Sequence, residues 1–236
     1  MNYSINRFWE LDFTRGLAVI GMIIFHALWN LNFFGYTTLN LYSGWLGIFQ
    51  KVIAVTFLAL VGIGLTLSAN KHENYKTWFL KRGLFIFGLG MLITAFTFIF
   101  FRENLIYFGI LHLIGVSIIL AIPFAKQIYA NLILGLSLII TGLYLQTLTF
   151  NFSYLLWLGF YTPLATVDYY PILPWFGIIL IGMAFGNIIY KNGNRLKEIK
   201  EYNNIISKIG KQSLLIYFIH QPILFGVLML LATYSK

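Results

Sequence analysis

Long apolar runs separated by short polar connections make up most of this chain. Seven of them, at 12–33, 45–68, 79–100, 105–123, 128–149, 171–190 and 213–233, are each long enough to carry a helix across about 30 Å of hydrocarbon. The pattern predicts an all-α, polytopic transmembrane helical bundle of about seven spans, and 1–236 reads as one integral-membrane domain. The connections 69–79 and 190–212 are polar and basic, and the second, with Asn192-Gly193-Asn194 and alternating Lys and Glu, predicts a loop carrying a short helix. The segment 151–170 is different: it is aromatic, apolar and almost uncharged, but broken by Gly159 and Pro163. It reads as a re-entrant or interfacial element before the sixth span. As an eighth crossing it would flip the last two spans and place six basic residues outside.

Composition agrees with the pattern. The chain is 59% hydrophobic and 10% charged, with a mean hydropathy of +0.81, values that belong to an integral membrane protein. Its abundant Tyr and Trp suit interfacial belts and sugar-facing or acyl-facing pockets. There is no cysteine, which excludes disulfides, thiolate chemistry and Cys-based metal sites, and no metal site is expected. A polar N-terminus through Glu10, with no small-residue cleavage site after it, predicts no cleavable signal peptide.

The net charge of +9 would suit a nucleic-acid partner if it were spread over a soluble surface. Here all but Lys51, Arg102 and Lys236 of the 16 basic residues fall on one side of the predicted spans. By the positive-inside rule that side is cytoplasmic, so the N-terminus is cytoplasmic and the C-terminus outside. The partner so predicted is the lipid bilayer, as the cell membrane of a prokaryote; nucleic acid is not expected, and a homodimer is allowed.

Candidate chemistry lies where polar groups enter the apolar runs. Arg15 and His26 are eleven residues apart in the first span, about three helical turns, so they share a face about 16 Å apart along the axis. A guanidinium at the membrane surface and an imidazole deep inside suit a long ligand with anionic phosphates at one end and its reactive group at the other. Ionisable groups inside a membrane are costly and are functional candidates by default. Asn30 follows His26 by four residues and is placed to orient its ring. Asp12 can pair with Arg15 at the inner boundary, or serve as an ordinary interfacial ion pair. Helix rise places His112 at nearly the depth of His26, and His220 about 10 Å from the inner edge of the seventh span. Either histidine can equally be a packing group that hydrogen-bonds across to a neighbour, and His220 can repair carbonyls freed by Pro222. Lys81 and Arg82 open the third span as a topology signal or as a phosphate clamp. Asp168, one of seven acids, stands at the outer mouth of the sixth span as a site residue or a solvated loop carboxylate. The glycines of Gly62-Ile-Gly64 and Gly83–Gly90 read as packing seams.

Three stretches resemble the catalytic domain of heparan-α-glucosaminide N-acetyltransferase-like proteins. They are Arg7-Phe-Trp-Glu-Leu-Asp12-Phe-Thr-Arg15-Gly-Leu-Ala-Val-Ile-Gly-Met-Ile-Ile-Phe-His26, Asp168-Tyr-Tyr-Pro-Ile-Leu-Pro-Trp-Phe-Gly177 and Gly210-Lys-Gln-Ser-Leu-Leu-Ile-Tyr-Phe-Ile-His220. The Arg15-to-His26 spacing is also similar to the first-helix motif of the broader membrane acyltransferase superfamily that modifies cell-surface sugars. The resemblance implies an acyl-CoA-dependent acyltransferase domain over 1–236. Its acyl group, usually acetyl, would pass from cytoplasmic acetyl-CoA to a sugar amine or hydroxyl of a glycan or other acceptor outside. The animal heparan enzymes carry an active-site histidine in the first luminal loop, whereas 35–45 here has none, which leaves His26 as the catalytic candidate.

On this reading Arg15, Asp12, Lys81, Arg82 and His220 attend the cofactor. His26 acts as general base or accepts the acyl group as a transient acyl-imidazole. His112, Asn30 or a backbone amide stabilises the oxyanion, and Asp168 shapes the acceptor site. The rival from another class is a proton-coupled transporter or flippase of an anionic small molecule, with the histidines as a proton relay. Against it stands the absence of an inverted repeat.

Overall fold

The computed structural model describes residues 8–102, 105–150, 152–160, 168–196, 199–202 and 204–234. Arg7, Asn151, Pro163, Lys197 and Lys236 thus lie outside the described residues, as does the second part of the expected re-entrant element. Among the described residues the regular structure is helical, with no strand. The α-helices are α1 (Trp9–Phe33), α2 (Gly44–Lys71), α3 (Tyr75–Phe100), α4 (Ile110–Leu120), α5 (Tyr129–Leu145), α6 (Ile172–Ile189), α7 (Ile205–Lys211) and α8 (Ser213–Tyr234). α1, α2, α3, α6 and α8 are long and apolar enough to cross a membrane.

The other two predicted spans are shorter than their apolar runs. The run 105–123 is helical only over Ile110–Leu120 before a 3-10 turn at Ile122–Phe124. Eleven residues rise only about 16 Å. The helix starts late because Gly109 is extended, and it stops where Pro123 enters the 3-10 turn. α5 holds 17 residues, the lower limit for a crossing. Within 152–160 the chain forms a 3-10 turn, Ser153–Leu158, closed by Gly159 at φ 110°. The short helix expected within 190–212 is α7.

The chain divides into two compact units, Met1–Phe57 with Ile199–Lys236, and Leu58–Glu198. In the first, α7 crosses the start of α1 almost backbone to backbone. A Cβ added to Gly16 would overlap the Ile206 carbonyl, and one on Gly210 would overlap the Asp12 carbonyl. Asn204 caps α7 by accepting the Ser207 N–H at 2.8 Å. At the other end of the unit Phe33 and Phe34 pack against Phe225, with ring centroids 5.5 and 5.0 Å apart. Contacts that climb α1 from Gly16 to Phe34 climb from Gly210 in α7 to Phe225 in α8, so α1 and α8 run parallel.

α1 ends in a Schellman motif. Gly35, at φ 77°, donates to the Asn32 carbonyl at 3.0 Å and Tyr36 to that of Leu31 at 2.9 Å. Asn32 then staples the following loop: it donates to the Leu39 carbonyl at 2.6 Å and accepts from the Leu39 N–H at 3.0 Å and from Thr37. Leu41, 3% exposed, anchors that loop against Phe25 and Leu46.

The second unit is assembled on glycine seams. Gly62, Gly182 and Gly186 bring the later part of α2 against α6, Gly83, Gly90 and Gly115 bring α3 against α4, and Gly135, Gly142 and Gly177 bring α5 against α6. In lipid, where apolar side chains gain little by leaving the solvent, close backbone approach and its dispersion contacts drive association. The predicted seam role holds for Gly62, Gly83 and Gly90, whereas Gly64 and Gly88 face open space.

Candidate active site

The base of α1 carries an ion pair. Arg15 Nη1 lies 3.0 Å from Asp12 Oδ1; the Asp12 side chain is 4% exposed and that of Arg15 25%. The carboxylate is therefore buried by its partner, while the guanidinium keeps a face that a ligand can reach. Arg15 has five N–H donors, so pairing with Asp12 does not exhaust it.

Eleven residues along the same helix, His26 meets a second histidine. Its Nδ1 lies 2.9 Å from Nε2 of His220 on α8. His220 is 7% exposed, and its Nδ1 sits 2.7 Å from the Tyr217 carbonyl and 3.2 Å from that of Ile216. His26 keeps partial exposure. The sequence places His220 nearer the cytoplasm than His26, whereas the contact puts the two rings at one level. The two spans do not share an inner edge. Their register is set at the α1/α7 crossing, where Gly210 is level with Gly16. His26 is ten residues beyond Gly16 and His220 ten beyond Gly210, so both stand about 15 Å above the crossing.

Asn30 takes a different partner from the one expected. Rather than orienting His26, it forms a reciprocal amide pair with Gln221: Asn30 Nδ2 donates to Gln221 Oε1 at 3.3 Å, and Gln221 Nε2 donates to Asn30 Oδ1 at 3.1 Å. A carboxamide satisfies both donor and acceptor of another carboxamide, which one imidazole nitrogen cannot. Asn30 is fully buried, so the pair locks α8 against α1 beside the histidines. Gln221→Leu alone is expected to cost about 1–3 kcal/mol, because it strands the buried Asn30 amide, and Asn30→Leu, which strands the half-buried Gln221, should cost less. The double variant should cost clearly less than the sum, as a double-mutant cycle of unfolding in detergent would show.

Beyond His26, at the C-terminal end of α1, a groove of about 450 Å³ is lined by Trp29, Asn32, Phe33, Leu39, Asn40, Leu41 and Tyr42. Trp29 follows His26 by three residues, so the groove opens within one helical turn of it.

The remaining predicted residues belong to the second unit. His112, 2% exposed, has both ring nitrogens engaged. Its Nδ1 accepts the Gly109 N–H at 3.1 Å, and its Nε2 lies 3.3 Å from Thr94 Oγ1, which donates to the Ile106 carbonyl at 2.6 Å. The ring caps α4 and ties it to α3, which is the packing role. Asp168 Oδ2 accepts the Ile110 N–H at 3.1 Å, placing a carboxylate at the positive end of the α4 dipole. Beside it Tyr170 donates its N–H to the Phe108 carbonyl at 3.0 Å. Tyr169 donates its hydroxyl to the Leu156 carbonyl at 2.7 Å. Burial pushes that phenol up to about 12, so it remains a neutral donor throughout the physiological range. Lys81 is exposed, and the half-buried Arg82 lies 5.6 Å over the Phe85 ring. His72 stacks on Trp78 and bonds the Ser68 carbonyl.

The structure thus joins Asp12 to Arg15, His26 to His220, and Asn30 to Gln221. Sequence reasoning missed Gln221 and the groove at the C-terminal end of α1. The Asn30/Gln221 match was not readable without the helix register; the Trp and Asn residues around the first loop were the groove's only signal. Among the described residues no three His, Asp or Glu converge on a point that would hold a metal. Arg15 is a half-buried cation at the base of α1 and could meet an anionic cofactor. No curated protein and no solved structure gives a significant match. The family model "Heparan-alpha-glucosaminide N-acetyltransferase, catalytic" matches residues 7–222. That match takes in every helix named above except the end of α8, and the chain belongs to this family.

Proposed function

We propose that the protein is a membrane-embedded acetyltransferase that takes an acetyl group from cytoplasmic acetyl-CoA and delivers it to a sugar amine or hydroxyl on the outer side. The observation that carries this reading is the family match laid over α1, where a reachable guanidinium and a reachable imidazole share one helix face. The distribution of basic residues supports a cytoplasmic N-terminus, and the parallel run of α1 and α8 supports an odd number of crossings. The match through both units supports reading 1–236 as a single domain.

Arg15 binds phosphate of acetyl-CoA, and the pantetheine arm extends along α1 toward His26. The acceptor approaches through the outer groove, where aromatic faces and the two asparagines suit a sugar. In direct transfer the acceptor oxygen or nitrogen attacks the thioester carbonyl carbon as His26 removes its proton. The new C–O or C–N bond forms, the C–S bond breaks, and the departing CoA thiolate takes the proton from His26. In the two-step route His26 itself first receives the acetyl group and releases CoA, and the acceptor then displaces the imidazole.

The test is turnover of labelled acetyl-CoA with amino-sugar and neutral-sugar acceptors, comparing wild type with Arg15→Ala. The variant is expected to raise KM for acetyl-CoA about tenfold or more, the loss of one charge-assisted hydrogen bond to phosphate. An unchanged KM would remove Arg15 from the donor site.

A further inference from the structure

We propose that His220 is a positioning residue that fixes the tautomer of His26 and directs the lone pair of His26 Nε2 to the substrate; this rests on the reading of His26 as the base or nucleophile. A backbone carbonyl can only accept a hydrogen bond. His220 Nδ1 is 2.7 Å from the Tyr217 carbonyl, so that nitrogen carries a hydrogen. A neutral imidazole has one N–H, so His220 Nε2 carries a lone pair and must accept. Its partner at 2.9 Å is His26 Nδ1, which therefore donates. His26 in turn has spent its single hydrogen on Nδ1, and its Nε2 is left with the lone pair. The direction of the chain is dictated by the backbone of α8: Tyr217 carbonyl, His220, His26, substrate.

Two further features make the arrangement a device rather than a chance meeting. His220 has both nitrogens engaged, whereas the contact with His26 uses only its Nδ1, so the lone pair left over belongs to His26 Nε2. The Asn30/Gln221 amide pair is adjacent, Gln221 following His220 directly, and prevents α8 from turning or sliding against α1. The logic is that of an orienting group behind a catalytic imidazole, here a neutral ring whose own orientation comes from a main-chain carbonyl. His112 shows the opposite tautomer, accepting on Nδ1 from Gly109, so local partners rather than residue type decide the matter.

The experiment uses the full chain in detergent or nanodiscs, with His220→Phe, which fills the space without an acceptor, and His220→Gln, whose side-chain oxygen can accept from His26 Nδ1. In His220→Phe, kcat for acetyl transfer should fall about 10- to 100-fold with KM for acetyl-CoA unchanged. That is less than the ~10⁴-fold loss when a charged orienting group is neutralised in a serine-protease triad. His220→Gln should recover most of kcat. Independently of turnover, ¹⁵N spectra of histidine-labelled wild type should show His26 protonated on Nδ1 and bare on Nε2, a state lost in His220→Phe. The proposal is overturned if wild-type His26 carries its hydrogen on Nε2, or if His220→Phe keeps the wild-type kcat and spectrum. Failure of the acetyltransferase reading itself would appear differently, as absent turnover in wild type with the His26 tautomer still as stated.

Discussion

Replacing His26 by alanine is expected to lower kcat for acetyl transfer by about 10²–10⁴-fold, the usual contribution of a positioned general base, while acetyl-CoA still binds. The size of the loss follows from what surrounds the residue. Among the described residues of the first unit, neither titratable neighbour can take over: His220 is buried with both nitrogens engaged, and Asp12 is buried and paired with Arg15. Alanine also strands His220 Nε2, so part of the effect could be read as lost packing. His26→Gln separates the two, because its amide can still donate to His220 yet cannot act as a base. It should be as inactive as alanine and closer to wild type in thermal stability. Acetyl label found on quenched wild-type protein and absent from both variants would mark the two-step route; label found only on the acceptor would mark direct transfer.

Gly210→Val should destabilise the protein by about 3 kcal/mol or more, the upper end of what overpacking costs, although the residue is far from the acetyl group. The added Cβ would overlap the Asp12 carbonyl and press on the Gly16 amide. Both obstacles are backbone, so no rotamer change relieves them. The only relief is to move α7 off α1, which shifts the level from which α8 rises. His220 and Gln221 would then miss His26 and Asn30, and activity should fall together with the thermal midpoint. Gly226→Val, in α8 and with nothing near its Cβ, is the control and should stay within about 0.5 kcal/mol of wild type. If the two variants unfold alike, the crossing does not set the register.

Much of this was legible in the sequence. Apolar run length located the long helices because bilayer thickness imposes a length. A spacing of eleven residues placed Arg15 and His26 on one face because helix geometry does so whatever surrounds it. Contacts between distant segments were not legible. The level of His220 was counted from the end of an apolar run, but the run's edge reports where polar residues begin and not where two backbones touch. Asn30 lay on the right face for His26, yet the face did not reveal that Gln221 would offer it two hydrogen bonds. The residues 105–109 are apolar enough to extend a predicted span, but hydropathy cannot see that Gly109 is extended and that its N–H is used by His112. Asp168 reaches Ile110 across 58 residues of sequence, a pairing to which composition and periodicity are blind.

The measurement that bears most directly on the account is acetyl transfer in sealed proteoliposomes, with labelled acetyl-CoA supplied on the side of the protein's N-terminus and amino-sugar or neutral-sugar acceptors on the other. Wild type is expected to move label onto the acceptor across the bilayer, and His26→Gln to bind acetyl-CoA without doing so. A wild-type protein that neither binds nor turns over acetyl-CoA, or a His26→Gln variant that transfers label at the wild-type rate, would contradict it.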